Sequence, residues 1–198
     1  MYSAPQQPDR KARKQHAGVT LVELLVTVAI IGIIAAIASP ALNGFIERQR
    51  LRAATEQVLA AVNTARTEAT RQSRRLFLGV QAGNNGEWAV GVGDTANCGQ
   101  TLVNTTTCTV ATVVGTTTQN IPYVWSGLVD HNRISLTTNA NTASIDPVRG
   151  LVSTPVQITL SSPSGWQTQV LFSTLGRATA CSPIGAPNVA GLQICPST

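Results

Sequence analysis

The feature that most constrains the fold is an apolar run from Val19 to Ala38 in which Glu23 is the only charged residue. As a helix, a run of this length spans about 30 Å, the thickness of the hydrocarbon core of a bilayer. A carboxylate at the centre of such a helix costs about 2.5–3.5 kcal/mol on insertion scales. A buried carboxylate therefore needs a partner of opposite charge. The run predicts a membrane helix whose one acidic side chain is paired.

The charges beside the run predict its orientation. Four basic residues precede it, namely Arg10, Lys11, Arg13 and Lys14. The positive-inside rule then leaves residues 1–18 in the cytoplasm and the rest of the chain across the membrane. An ordinary secretory signal is the alternative, and the sequence "ASPA" at residues 38–41 is its weak candidate for a cleavage site.

Composition changes sharply along the chain. The formal net charge of +5 at pH 7 comes mostly from the basic stretch before the apolar run. From Leu76 onward the sequence is poor in charge and rich in Thr, Val, Gly, Asn and Ser, with apolar residues throughout. This composition favours a β-rich domain over a disordered region. The length beyond the run suffices for one core of ordinary size.

The four cysteines form two close pairs in the sequence, Cys98 with Cys108 and Cys181 with Cys195. An even count and local spacing behind a membrane segment predict two structural disulfides in an oxidising compartment. Zinc binding and a redox role are the alternatives. Zinc would need further ligands at short spacing, and His131 is the only histidine after residue 18.

Residues 14–40, "KQHAGVTLVELLVTVAIIGIIAAIASP", resemble the class III signal of type IV pilins and pseudopilins. The resemblance implies that a prepilin peptidase cuts between Gly18 and Val19 and that the new N-terminus is methylated. Val19 stands where Phe or Met is commoner in the family. Glu23 falls on the fifth position after the cut, where the resemblance implies pairing with the N-terminal amine of a neighbouring subunit. A tolerated glutamate near the membrane interface is the alternative.

The second half of the helix has a different pattern. Pro40 predicts a kink, because proline lacks an N–H and crowds the carbonyl four residues earlier. Beyond it, apolar residues recur at steps of three and four and predict one apolar face. These residues are Leu51, Ala54, Val58, Ala61, Val62, Ala65 and Ala69. We expect one helix from Thr20 to Gln72, of which only the second half packs on the domain.

Three further segments resemble the GspH/FimT branch of pseudopilins and minor pilins. They are "LAAVNTARTEATRQSRRLFLGV" at residues 59–80, "EWAVGV" at 87–92 and "VLFSTLGRA" at 170–178. Residues 94–155 show no such resemblance, and we expect them to be variable decoration. The resemblance implies an α+β protein with the type IV pilin fold, in which a long N-terminal helix packs on an antiparallel β-sheet domain. The expected parts are a removable leader (1–18), a transmembrane and assembly helix (19–40), an amphipathic half-helix (41–75) and the sheet domain (76–198).

Alternation of apolar and polar residues predicts the strands. They are expected near residues 76–82, 87–92, 109–114, 132–137, 156–160, 167–173 and 190–194. The sequence "AGNNG" at residues 82–86 predicts a hairpin turn between the first two. A sheet on one face of the half-helix is expected to bury Leu76, Phe77, Trp88, Val170 and Phe172. Trp125 and Trp166 are expected to be partly buried.

The sequence contains no catalytic motif that we recognise, so no enzyme, cofactor or metal site is predicted. His131 has no nucleophile motif near it, and Asp94, Asp130 and Asp146 are isolated. An isolated aspartate beside Asn or Gly is more often a turn residue.

Arginines are the remaining residues that indicate a possible binding function. Some FimT-like minor pilins bind DNA through a Gly-Arg-x-Arg turn, and here the second arginine is absent after Gly176-Arg177. Phosphate binding at physiological salt needs several cations together. Arg74 and Arg75 are the candidates to supplement Arg177, and a solvated helix end is the alternative.

The sequence thus predicts a minor pilin or pseudopilin of the GspH/FimT type in a type IV pilus, at the tip or in the complex that primes assembly. A type II secretion pseudopilin and a DNA-binding minor pilin for transformation are the alternatives. Expected partners are other minor and major pilins, the prepilin peptidase, the inner-membrane assembly platform and, as an alternative, DNA. Before assembly we expect a single-pass inner-membrane protein with a periplasmic C-terminal domain, which later reaches the cell-surface pilus.

Overall fold

The computed structural model describes residues 19–100, 103–128 and 130–196. Within its helices and strands, the side chains of residues 38–41, Gln100 and Val114 are outside the described part. The chain divides into two compact units, Met1–Leu42 and Asn43–Thr198. The predicted leader, residues 1–18, lies outside the described residues.

Helix α1 runs from Leu21 to Gln72. The backbone N–H of Glu23 donates to Thr20 Oγ1 at 3.2 Å, which is the hydrogen bond of an N-capping threonine. The helix ends at Ser73, whose φ of 50° is left-handed, and the Arg74 N–H donates back to the Ala69 carbonyl. The helix therefore has the bounds that its apolar pattern predicts, to within one residue.

Within the described residues, no single helix is both long and apolar enough to cross a bilayer. A bent pair, Leu21–Ile37 and Leu42–Gln72, meets that criterion together by length and composition. The predicted kink at Pro40 falls between the two, where side chains are outside the described part, and stays a prediction.

In the second unit, the predicted apolar face of α1 is buried. Every one of its seven predicted residues is fully buried: Leu51, Ala54, Val58, Ala61, Val62, Ala65 and Ala69. Thr55 lies on the same side, and its Oγ1 is 2.6 Å from Thr168 Oγ1 in the sheet and donates to the Leu51 carbonyl. This satisfies a buried polar pair inside an otherwise apolar contact.

The described residues form ten strands in two five-stranded sheets. The first sheet has the order β3-β4-β2-β1-β6 and the second β10-β9-β8-β7-β5. The strands are β1 (Leu76–Gln81), β2 (Ala89–Gly93), β3 (Thr109–Val114), β4 (Thr117–Ser126), β5 (Ser135–Thr138), β6 (Thr142–Ile145), β7 (Val156–Ser161), β8 (Gln167–Phe172), β9 (Ala178–Ser182) and β10 (Gln193–Ile194). A short helical turn, α2 (Asn97–Gln100), follows β2.

The predicted hairpin between β1 and β2 is present, with Phe77 opposite Gly93 and Gln81 opposite Ala89. The turn contains Asn85 and Gly86, both with positive φ, which Asn and Gly tolerate best. The pairs within both sheets are antiparallel except β9 with β10, which run parallel.

The expectation of one sheet was wrong. Alternation identifies strands but not their partners, and here strands close in sequence separate into different sheets: β5 pairs with β7, whereas β6 pairs with β1. Three strands were missed. In β4 a proline and an exposed polar start hide the pattern, while β6 is short and β9 consists of small and polar residues.

The interpretation of residues 94–155 as decoration was also wrong. This region supplies β3 to β6, and Ile134, Leu136 and Ile145 from it are buried in the main core. Of the five residues expected in the core, Phe77 is only partly buried, because it lies on the opposite face of β1 from Leu76 and Leu78. The other four are buried, and Trp125 and Trp166 are partly buried as predicted.

Candidate functional site

The N-terminal segment carries the predicted processing and assembly residues. Gly18 lies outside the described residues, while Val19 and Glu23 are exposed. Thr20 and Glu23 have the Thr-x-x-Glu spacing of a capping box, and the hydrogen bond from the Glu23 N–H to Thr20 is present. Glu23 forms no ion pair within the described residues.

The rest of this unit is an exposed apolar helix. Large apolar side chains are exposed on every side of it: Leu21, Val22, Leu24, Leu25, Val26, Val28, Ile30, Ile31, Ile33, Ile34 and Ile37. A helix that is apolar all round is stable only when lipid or other protein covers it.

Arg74, one of the predicted DNA-binding residues, is engaged at the edge of the first sheet. Its Nη2 lies 2.7 Å from Asp94 Oδ2, and its Nη1 donates to the Ala111 carbonyl at 3.3 Å. The same Asp94 Oδ2 accepts the Ala111 N–H at 3.0 Å. Arg74 and Asp94 thus occupy backbone groups on the open edge of β3, as a neighbouring strand would.

Arg177 lies in a tight turn after β8. The Ser173 N–H donates to the Arg177 carbonyl, and the Arg177 N–H donates to Ser173 Oγ at 3.2 Å. The turn contacts the loop at residues 146–152, because the Val152 N–H donates to the Thr174 carbonyl at 2.9 Å. Gly176 also lies directly against the Gly150 carbonyl oxygen.

Asp146 organises that second loop. Its Oδ1 accepts the N–H groups of Val148 and Arg149, each at 2.9 Å. These two bonds lower the pKa of Asp146, and the charges of Arg149 and Arg75 lower it further. The carboxylate is therefore ionised at neutral pH and holds the loop in a fixed turn.

Arg66 reaches both loops from α1. A Cβ built on Gly150 would lie 3.3 Å from Arg66 Nε, and one built on Gly176 would lie 3.5 Å from it. Arg75 lines a shallow groove with Asp146 and Val152. The structure therefore collects four exposed arginines around the two loops. We call them the arginine surface: Arg66, Arg75, Arg149 and Arg177.

Arg177 and Arg75 belong both to the DNA-binding residues predicted from the sequence and to the arginine surface. Arg74 was predicted with them but lies at the β3 edge. No role was predicted for Arg149. Two glycines beside arginines, in Arg149-Gly150 and Gly176-Arg177, were the available signal. Glycine at both positions permits the close approach that brings the arginines together.

His131 lies in the core rather than in a cleft. Its ring stacks on Trp88 with the centroids 6.1 Å apart, and Trp88 Nε1 donates to the Ile134 carbonyl. Burial lowers the pKa of His131, and the nearby Asp130 opposes that shift. Among the described residues, no group of three or more His, Cys, Asp or Glu side chains could hold a metal ion.

Both predicted disulfides are present, Cys98–Cys108 and Cys181–Cys195. The first lies in a small cluster with Ala89 and Val103 beside β2, and the second joins β9 to the residue after β10. Each fastens a loop or an edge strand to a sheet, which is a structural role.

Two protein-family models match parts of the chain. Residues 13–39 match the prokaryotic N-terminal methylation motif. Residues 54–176, more than half of the chain, match the family described as Type II transport protein GspH. No match was found among curated proteins.

Two solved structures are similar to the chain, both of the type IV minor pilin FimU from Pseudomonas aeruginosa PAO1. The first, in space group P21, has 15% sequence identity and a TM-score of 0.47, and the match covers 72% of this chain and 96% of that one. The second, in space group P65, has 14% identity and a TM-score of 0.45, and the match covers 69% and 97%. On the strength of the domain match over residues 54–176 and the motif ahead of it, the chain belongs to the GspH family and is a pilin-like protein of the GspH/FimT type.

Proposed function

We propose that the protein is made as a membrane-anchored precursor, cut between Gly18 and Val19, methylated at Val19 and built into a filament as a minor pilin subunit. The observation that supports the proposal is the match of residues 13–39 to the N-terminal methylation motif. With the proposed cut after Gly18, Glu23 becomes the fifth residue of the processed chain. The glutamate then meets the amine of a neighbouring N-terminus, so that a charge that is costly alone becomes one half of an ion pair.

The exposed apolar helix supports the same proposal. Before assembly, the side chains from Leu21 to Ile37 would be covered by the inner membrane, with residues 76–198 in the periplasm. In the filament, the corresponding helices of neighbouring subunits would replace the lipid. In this scheme residues 1–18 are the leader, 19–40 the anchor and assembly helix, and 41–75 the half-helix that supports the domain. The protein acts as a structural component and not as an enzyme.

The filament that we propose is a type IV pilus, in which the protein occupies the tip or primes assembly with other minor pilins. A type II secretion pseudopilin is the second candidate, because the matched family is described as a type II transport protein. Mass spectrometry of sheared surface pili separates the two. Recovery of the protein with the pili supports the first, and its retention in the cell envelope with loss of secretion on deletion supports the second.

DNA binding remains a prediction for Arg177 and Arg75. Arg74 is a poor member of such a site because Asp94 and the Ala111 carbonyl already occupy its guanidinium.

Processing tests the proposal directly. Replacing Gly18→Ala should abolish cleavage by a prepilin peptidase in membranes, so the protein stays at the size of its precursor on a gel. Ala17→Ser is the matched control and should be cut like the parent. Equal cleavage of the Gly18→Ala variant and the parent would refute the proposed precursor.

A further inference from the structure

Three exposed apolar side chains lie on the two loops that carry the arginine surface. Val148 is 89% exposed, Leu175 is 73% exposed and Leu151 is 38% exposed. Single exposed apolar residues are ordinary, but these belong to two segments in direct backbone contact. We call the three residues and the surrounding arginines the loop patch: Val148, Leu151, Leu175, Arg66, Arg75, Arg149 and Arg177.

The loop patch is held in one conformation. The Gly150 N–H donates to the Asp146 carbonyl at 2.9 Å, and the Asp146 N–H donates to the Leu151 carbonyl at 2.8 Å. In the other loop, the Gly176 N–H donates to the Ser173 carbonyl at 2.9 Å. A surface that is already ordered loses little conformational entropy on binding. This lowers the free-energy cost of association.

Charge restricts what can bind there. Residues 43–198 contain ten arginines and seven carboxylates. Four of those arginines belong to the loop patch, and Asp146 is the carboxylate that lies among them, with its Oδ1 already bonded to two backbone N–H groups. A second copy of this chain that docked through the same loop patch would bring arginines against arginines, which is unfavourable. The complementary occupant is acidic.

The apolar residues further restrict what can bind to the loop patch. Nucleic acid phosphates would pair with the arginines but leave Val148 and Leu175 without an apolar partner. The two loops also contain no aromatic ring on which a base could stack. Exposed apolar side chains together with arginines, on two loops in contact, are the combination found at protein–protein interfaces.

We propose that the loop patch docks a different pilin-like subunit, one with an acidic surface around an apolar centre. Val148 and Leu175 bury against that centre, and Arg66, Arg149 and Arg177 pair with the carboxylates. This rests on the proposed filament function and adds the surface and the chemistry of the partner.

The test uses the full processed chain in detergent. Its affinity is measured, one at a time, for each pilin-like subunit encoded in the same genome and purified in the same detergent. We expect an acidic subunit to bind, and expect both the double variant Val148→Ser/Leu175→Ser and the single variant Arg149→Glu to weaken binding at least about tenfold. Higher salt should weaken the parent complex.

Two variants outside the loop patch are the controls. Ile184→Ser removes an exposed apolar side chain beyond the far end of β9, and Arg133→Glu reverses an exposed charge between β4 and β5. Both should bind the subunit like the parent. The substituted side chains are exposed, so all variants should keep the parent's melting temperature.

The outcomes separate the two proposals. If a subunit binds the parent and the loop-patch variants equally, the docking proposal is wrong and the filament function stands. If the parent binds no pilin-like subunit, the docking proposal is wrong, whereas the filament function is decided separately by cleavage after Gly18 and by recovery of the protein with sheared filaments. If it binds a DNA duplex or anionic vesicles through Arg149 but no subunit, the loop patch has a different occupant and the docking proposal is overturned.

Discussion

Gly176 lies where the turn after β8, the loop at residues 146–152 and Arg66 of α1 meet. Its φ is 74°, in the left-handed region, and a Cβ at this position would collide with the Gly150 carbonyl oxygen. Glycine is therefore required twice over here, by its backbone conformation and by the close approach. Without it, the two loops could not keep their contact and the arginine surface would open.

Replacing Gly176→Ala should destabilise the protein by about 1–3 kcal/mol more than the matched control Gly165→Ala. Gly165 has a similar φ of 82° but open space around its Cβ position, so the control measures the conformational cost alone. Urea unfolding of the full chain in detergent measures both. Equal losses of stability in the two variants would show that the contact with Gly150 is not a constraint.

At the scale of single elements, β3 shows how an exposed sheet edge is protected. The strand lies at the end of the first sheet, where unpaired backbone groups could recruit another chain. The Asp94 N–H donates to the Thr109 carbonyl, while the Asp94 carboxylate and the Arg74 guanidinium bind the two backbone groups of Ala111. Arg74 therefore contributes to the sheet rather than to the arginine surface.

Replacing Asp94→Ala should release both Arg74 and the Ala111 N–H. Hydrogen exchange at the Ala111 amide should accelerate at least about tenfold, because its acceptor is lost and the strand edge faces water. Glu87→Ala, which removes an exposed carboxylate from the turn before β2, is the control and should leave β3 unchanged. Unaltered exchange at Ala111 in the Asp94→Ala variant would mean that the carboxylate does not protect the edge.

At the scale of the whole molecule, the chain combines one unit that buries its apolar side chains with another that leaves them exposed. The unit from Asn43 to Thr198 buries its core between the half-helix and two sheets, while the apolar side chains from Leu21 to Ile37 remain exposed. The first arrangement covers its own apolar side chains, and the second requires lipid or other subunits around it.

Replacing Glu23→Ala should leave cleavage after Gly18 intact but reduce incorporation into the filament at least about tenfold, because the N-terminus of the neighbouring subunit loses its counter-ion. Quantitative blotting of sheared filaments and of membranes measures the two steps. Thr27→Ala, one helical turn further along, is the control, because in the part of the chain that the structure describes Thr27 Oγ1 bonds to the Leu24 carbonyl of its own helix. Normal incorporation of the Glu23→Ala variant would contradict the pairing role.

Much of the fold could be predicted from local patterns. The steps of three and four from Leu51 to Ala69 identify the buried face of α1, and alternation identifies strands such as β7 and β8. The pattern is weaker where a strand is short, proline-containing or exposed, as in β6 and β4. The pattern does not indicate which strands become neighbours, because strand pairing depends on contacts between residues far apart in the sequence.

The sequence by itself determined the apolar helix with its acidic residue, the cysteine pairs and the motif that identifies the family, because each depends on residues close together in the chain. Only the tertiary structure decided the division into two sheets and the membership of the arginine surface. Arg66, Arg149 and Arg177 are far apart in sequence, and they meet because Gly150 and Gly176 allow two loops to touch beside α1. Arg74 lies only one residue before Arg75, yet the ion pair with Asp94 holds it at a different sheet edge.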